Sequence, residues 1–297
     1  MKTMHQHWPP ALMAALASML CGALSATASA ADEPGTLRTT IGGKVVEMPD
    51  TSDAARGLDL SGLEVQPLYE ADFTKPLKFV TESSLFTGDR RTPVPAGTDW
   101  VLEGKATART EDGRLVLTND PGHLVFWSTR AFPADVLIEF GVSPAHANEG
   151  LNILFFAAKG QDGGSIFDEK QPMRDGLFKT YHSGAIDCYH VSYWATGPGG
   201  EERGTAHIRK NRGFHIVSMG RDFIANQGPG PHRVRLLKLG SEITVEVGGK
   251  IAVRWKDDGT TFGPVLGDGL IGLRQMAHTG ECRYTYFKVH SVKSKDP

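Results

Sequence analysis

From Leu68 onward the chain is written in short alternating stretches of apolar and polar residues, broken by Gly, Pro and Asp. That rhythm constrains it most. Side chains on every second position suit a half-buried strand, and breaks at this spacing fit an all-β sandwich or barrel. Val136 to Val142 places Val136, Ile138, Phe140 and Val142 on one side, with Glu139 opposite. Leu151 to Ala157 is apolar on both faces except at Asn152, as a central strand would be. Arg233 to Leu239 and Ile243 to Val247 flank Gly240-Ser241, and Gly248-Gly249 leads into Lys250 to Lys256, so two hairpins are predicted. Ile243, Val245 and Val247 face one way, Thr244 and Glu246 the other. Leu270 to Gln275 and Arg283 to Val292 supply the last strands. Helix is limited to a turn or two at Thr51 to Arg56 and around Asp168 to Lys179. The expectation is a two-sheet antiparallel sandwich, one wet face of which can curve into a groove.

The start of the chain follows other rules. Lys2 precedes an apolar run from Ala11 to Ala26, then the pattern Ala28-Ser29-Ala30. A charged start, a short apolar core and an A-x-A site are what signal peptidase reads. The run is shorter than the roughly 20 residues of a membrane-spanning helix. Leu20 stands before Cys21, where a lipoprotein signal wants a small residue. Residues 1–30 are therefore predicted to be a cleaved signal peptide, which makes the protein periplasmic or secreted and not inserted in a membrane. Residues 31–66 form a lead-in that wraps over the body, and 67–297 the sandwich domain. Removing Lys2 leaves 31 basic residues of the original 32 against 34 acidic. That near-neutrality gives no support to nucleic-acid binding, which needs a basic excess. Cys188 and Cys282 remain; they either pair in an oxidising compartment or sit as buried thiols.

Two segments depart from ordinary strand composition. Tyr181 to Trp194 (YHSGAIDCYHVSYW) holds three of the chain's six tyrosines. Strict alternation puts Asp187, Tyr189 and Tyr193 on one side and His182, His190 and Trp194 on the other. His207 to His215 (HIRKNRGFH) sets His207, Arg209 and Asn211 on one side, Lys210 and Arg212 opposite. Aromatic rings stack on sugars, while Arg, Asn and His bond hydroxyls and carboxylates; together they make a sugar groove. The catalytic candidates are His182, His190, Tyr189 and Tyr193, and the substrate-binding candidates Arg209, Asn211, Asp187, Trp194 and Lys210. A glycosidase needs a carboxyl pair, and Glu139, Asp168, Glu169, Asp187 and Glu246 are isolated. A uronate lyase instead needs a neutraliser of the carboxylate, a base and an acid. Arg209 and Asn211 fit the first role, His182 or His190 the second, Tyr189 or Tyr193 the third. No cofactor is called for. Histidine spacing does not fit zinc, and Asp257, Asp258 and Asp268, the residues considered for a structural calcium, lie at ordinary turns.

With these segments in view, the chain resembles the YesU-like family of concanavalin A-like jelly-roll proteins. The resemblance rests on GLNILFFA (150–157), SIFD (165–168), YHSGAIDCYHVSYW (181–194), IRKNRGFH (208–215) and GLRQM (272–276), and spans Leu68 to Val292. It implies a two-sheet antiparallel jelly-roll sandwich of the concanavalin A-like lectin/glucanase type. It also implies a polysaccharide or oligosaccharide partner, since members look like parts of bacterial systems that degrade glycans containing rhamnose and uronic acids. No catalytic residue carries over from it. A uronate-cleaving lyase is the leading expectation, with a glycoside hydrolase or a non-catalytic glycan-binding module as alternatives.

Overall fold

The alternating stretches become strands close to their predicted bounds in a computed structural model, which describes residues 35–41, 43–146, 148–197, 203–225 and 227–295. The predicted signal peptide lies outside the described residues. The first strands are β1 (Thr36–Ile41), β2 (Lys44–Pro49), β3 (Leu63–Glu70), β4 (Phe79–Thr81), β5 (Phe86–Thr87) and β6 (Arg90–Arg91). Then come β7 (Trp100–Glu111), β8 (Arg114–Ser128), β9 (Val136–Pro144), β10 (Leu151–Gly160), β11 (Ile186–Ala195) and β12 (Thr205–Asn211). The last six are β13 (His215–Arg221), β14 (His232–Leu239), β15 (Glu242–Val247), β16 (Lys250–Lys256), β17 (Leu270–Gln275) and β18 (Glu281–Ser294).

Two antiparallel sheets share one long strand. Leu124 to Trp127 of β8 pair with β17, while Leu115 to Thr118 pair with β18. The first sheet thus runs β13-β12-β11-β10-β17-β8, and the second β8-β18-β9-β14-β15-β16. This is the jelly-roll sandwich the sequence predicts. Leu124, Phe126, Leu154, Phe156, Ile138, Phe140, Val245 and Phe287 fill the space between the sheets. The alternate residues Val125, Trp127, Ile153 and Phe155 pack with Ile166, Phe167 and Tyr181 on the outer face of the first sheet. Each fully buried large apolar side chain contributes about 1.5–3 kcal/mol. Burial on both faces explains why β10 reads as continuously apolar. At Gly272 in β17 a Cβ would lie 2.5 Å from the Trp127 ring, so glycine lets the indole lie against the strand.

The lead-in is tied to both sheets. Thr51 N–H donates to Met219 O of β13, Asp53 exchanges backbone bonds with Ile251 of β16, and Leu58 N–H donates to the Glu246 carboxylate. β1 and β2 pair with each other, and β3 pairs with β18, so the strands of the sandwich begin at Leu63, before the change of pattern at Leu68. Two helical expectations need correction. The segment Thr51 to Arg56 forms no helix, since Thr51 and Asp53 bond the sheet edges and only a turn at Ala54-Ala55 follows, and helix near Asp168–Lys179 is the single turn α1 (Lys179–His182). Cys188 and Cys282 are free and buried in different clusters, one outside the first sheet and one between the sheets. No helix of the described residues is long and apolar enough to cross a membrane.

Candidate functional site

The polar side chains of the first sheet's outer face come from alternate positions of neighbouring strands. His190 of β11 stands opposite Arg209 of β12, Cys188 opposite Asn211, and Ser192 opposite His207. Arg274 comes from β17, while α1 and the β12–β13 turn bring His182, Phe178 and Phe214 over them. His182 lies 4.4 Å from the Phe214 ring and 4.9 Å from Phe178, and His190 packs edge-on to Phe155. Asn211 Nδ2 donates to His190 Nδ1 at 2.8 Å, which leaves the proton of the neutral ring on Nε2. His182 Nδ1 meets Ser183 Oγ at 2.6 Å, so its free ring nitrogen is Nε2.

The two arginines are held by rings instead of carboxylates. Arg209 Cζ lies 3.8 Å from the Phe214 ring centre, and its Nη1 donates to Phe214 O at 3.1 Å. Phe214 sits at φ +58 to do this, a left-handed backbone that costs a non-glycine residue about 1–2 kcal/mol. Arg274 Cζ lies 4.7 Å from Phe178 and 5.0 Å from Tyr181. Arg274 is fully buried, yet its Nε and Nη1 have no hydrogen-bond partner among the described residues. Among the described residues neither guanidinium has an Asp or Glu within 4.0 Å. Burial lowers Arg209 to about 9, helped by Arg203, and lowers Arg274 to about 10. Both remain cations at pH 7.

Those charges act on the histidines. His190 falls well below its ordinary value, first through burial and then through Arg209 and Arg274. Burial and Arg209 lower the half-exposed His182, and the same causes take His207 down to about 3. All three rings are neutral at pH 7. The site is a cationic floor with neutral proton carriers, and it carries no carboxylate of its own.

Beside it on the same sheet lies a charge-paired network. Glu82 bonds Arg91, and Arg174 Nε donates to Glu103 at 2.8 Å. Tyr181 Oη donates to Glu103 Oε2 at 2.6 Å. Burial raises Glu103 against the lowering by Arg174, and Tyr181 stands well above its ordinary value because of burial and Glu103. Tyr181 therefore joins the two regions: its hydroxyl serves the network and its ring lies beneath Arg274.

Of the predicted residues, His182, His190, Arg209 and Asn211 come together. Tyr189, Tyr193, Trp194 and Lys210 do not, and a shared site for all of them is corrected by the sheet's two faces. Tyr189 Oη donates to Asp257, which also takes Lys210 Nζ at 2.7 Å, inside the sandwich. Tyr193 packs on Phe140 at 5.3 Å. Trp194 follows it inward because the β10–β11 register slips between Ile153/Ser192 and Asn152/Trp194, with Tyr193 as the extra residue. Asp187 pairs with Arg212 at 2.9 Å beside a separate pocket of about 160 Å³ that also meets Lys159 and Asp268. Asp257, Asp258 and Asp268 are engaged by Tyr189 and Lys210, by Thr261, and by Lys159 respectively. Among the described residues no three His, Cys, Asp or Glu are grouped closely enough to share a metal ion. Arg274, Phe178 and Phe214 were not among the predicted site residues. The first stands inside GLRQM, a segment that carries the family resemblance, but nothing local in it marks the arginine as buried and unpaired.

Residues 92–289 match a family model described as a domain of unknown function (DUF1961). A Bacillus subtilis (strain 168) protein named "Uncharacterized protein YesU" is 38% identical over 200 residues, which is 65% of this chain and 90% of that protein. A solved B. subtilis structure, a protein of unknown function with a galectin-like fold, is 34% identical with a TM-score of 0.60 over 66% of this chain and 91% of its own. An endo-β-1,3-glucanase from Pyrococcus furiosus superposes with a TM-score of 0.51 at 12% identity, over 81% of this chain and 100% of its own; that likeness is one of fold alone.

Proposed function

We propose, from the premise that this chain belongs to the family described as a domain of unknown function (DUF1961), that it is an exported lyase acting on uronate-containing glycans at the outer face of its first sheet. The observation that carries this reading is Arg274: a fully buried guanidinium with unpartnered Nε and Nη1 beside two neutral histidines. An unpaired buried cation is costly unless something anionic meets it. A sugar carboxylate is planar and takes two N–H bonds from a guanidinium. Jelly-roll relatives by fold include a glucanase, which supports a glycan as the bearer of that carboxylate.

The chemistry follows from these positions. With its carboxylate against Arg274, a uronate loses the negative charge that opposes removal of the proton on the adjacent carbon. His182 Nε2 takes that proton. The C–H electron pair forms the carbon–carbon double bond and the glycosidic C–O bond breaks. The leaving oxygen takes the proton back from His182, which ends neutral as it began. His190, with Nδ1 bound to Asn211, offers Nε2–H as a fixed donor to the sugar. Hydrolysis fits less well. The two carboxylates of this face, Glu82 and Glu103, are almost wholly buried and occupied by arginines and Tyr181.

Incubation with polygalacturonate, alginate and an ulvan-type glycan tests the reading. A β-elimination product absorbs at about 235 nm, where a double bond conjugated to a carboxylate absorbs. Reducing ends without that absorbance mean a hydrolase and overturn it. Binding without product is the second reading, favoured by one observation: Tyr181, the tyrosine packed on this face, has its hydroxyl taken by Glu103. Export is tested by N-terminal sequencing of the protein from the culture's periplasmic and medium fractions, with a start at Ala31 expected.

A further inference from the structure

The site has one cation more than a single carboxylate can neutralise. In the adjoining network two carboxylates, Glu82 and Glu103, meet two guanidiniums, Arg91 and Arg174. Glu103 acts on Arg274 only from beyond ion-pair distance, and with both carboxylates paired the charges of Arg209 and Arg274 are in surplus. These two are buried to 5% and 0% exposure, and the aromatic rings that hold them engage the guanidinium planes. Nε and Nη1 of Arg274 are buried there without a hydrogen-bond partner among the described residues. Both arginines act on both His182 and His190, so the two charges serve one site. The histidines add no charge at pH 7.

From this count we propose that the site takes a dianionic glycan segment, in which a uronate carboxylate meets one arginine and a second anionic group meets the other. The second group is either the carboxylate of a neighbouring uronate or a sulfate ester, since each presents acceptor oxygens to a guanidinium. The inference rests on the acidic-glycan reading above and narrows it.

Titration calorimetry on the full chain tests it with four probes: digalacturonate, its monomethyl ester, a monosulfated uronyl disaccharide and cellobiose. The diacid is expected to bind at least fivefold more tightly than the monoester, and to lose more affinity as salt is added. In Arg209→Gln or Arg274→Gln that preference shrinks below fivefold, while Arg209→Lys, which keeps the charge, retains it. Tighter binding of the sulfated probe than of the diacid identifies sulfate as the second group; the reverse identifies a second carboxylate. A wild-type preference below fivefold overturns the dianion and leaves the acidic-glycan reading standing. Cellobiose binding as tightly as the diacid, or no acidic probe binding at all, overturns both. Thermal melting of each variant guards the comparison, because loss of an unpaired buried cation is expected to leave the melting temperature unchanged or raised.

Discussion

Two pairs of arginines lie on the outer face of one sheet and meet opposite solutions to the same problem. Arg91 and Arg174 are buried against Glu82 and Glu103, and each charge is answered within the chain. Arg209 and Arg274 are buried too, but among the described residues no carboxylate pairs with them; they lie against the rings of Phe214, Phe178 and Tyr181, and Glu103 acts on Arg274 only from a distance. A cation–π contact contributes about 0.5–2 kcal/mol, well short of the several kcal/mol that burying an ion costs. The first pair holds the fold together. The second is held by the fold at a cost, and that difference marks it for a ligand.

The comparison breaks first at stability. Arg174→Gln strands Glu103 and is expected to cost about 3–5 kcal/mol in urea unfolding, whereas Arg274→Gln should change stability by less than about 1 kcal/mol or raise it. Equal losses would erase the distinction between the pairs. His182→Ala should keep the fold and the binding of a uronide while lowering turnover, read as absorbance at about 235 nm, by about 10²–10⁴-fold; unchanged turnover removes His182 from the chemistry.

Acid titration sharpens the electrostatics. His190 and His207 have folded values below the ordinary 6.5, so the unfolded chain binds protons that the folded chain refuses. Stability from this source is complete above about pH 6.5 and is lost as pH falls, by about 1.4 kcal/mol per pH unit for each ring. A His190→Phe variant should show a shallower fall of melting temperature between pH 7 and 5. An unchanged slope contradicts the burial of a neutral His190 beside the arginines. Smaller still, Tyr181→Phe removes the hydroxyl from Glu103 but leaves the ring under Arg274, for a loss of about 1–3 kcal/mol of stability with binding kept. Loss of binding with stability kept would reverse the roles given to the two ends of that side chain.

How far the sequence foretold these regions depends on which residues report on themselves. Alternation is local, so the apolar faces of Val136 to Val142 and Ile243 to Val247 are legible in the sequence, and both face the core. His190, Arg209 and Asn211 were grouped for the same reason, since they alternate on strands that happen to pair. A bulge is not visible in composition, and the extra residue at Tyr193 sent Trp194 to the opposite face from the one alternation assigns. Tyr189 and Lys210 look like site residues because they are polar, but they meet Asp257, 47 to 68 positions away, inside the sandwich. Arg274 belongs to a strand that joins β10 and β8 across more than a hundred residues of chain, and no local pattern separates an unpaired buried arginine from a solvated one.

The central claim is that Arg209 and Arg274, and not Arg91 and Arg174, await an anionic sugar. Titration of the ¹⁵N-labelled protein (as the His182→Ala variant, so that nothing is cleaved) with trigalacturonate, following the arginine Nε–H signals, addresses it directly. The signals of Arg209 and Arg274 are expected to move with a common affinity while those of Arg91 and Arg174 stay in place. No movement at Arg209 and Arg274, or the same movement with a neutral glucan of equal length, contradicts the claim.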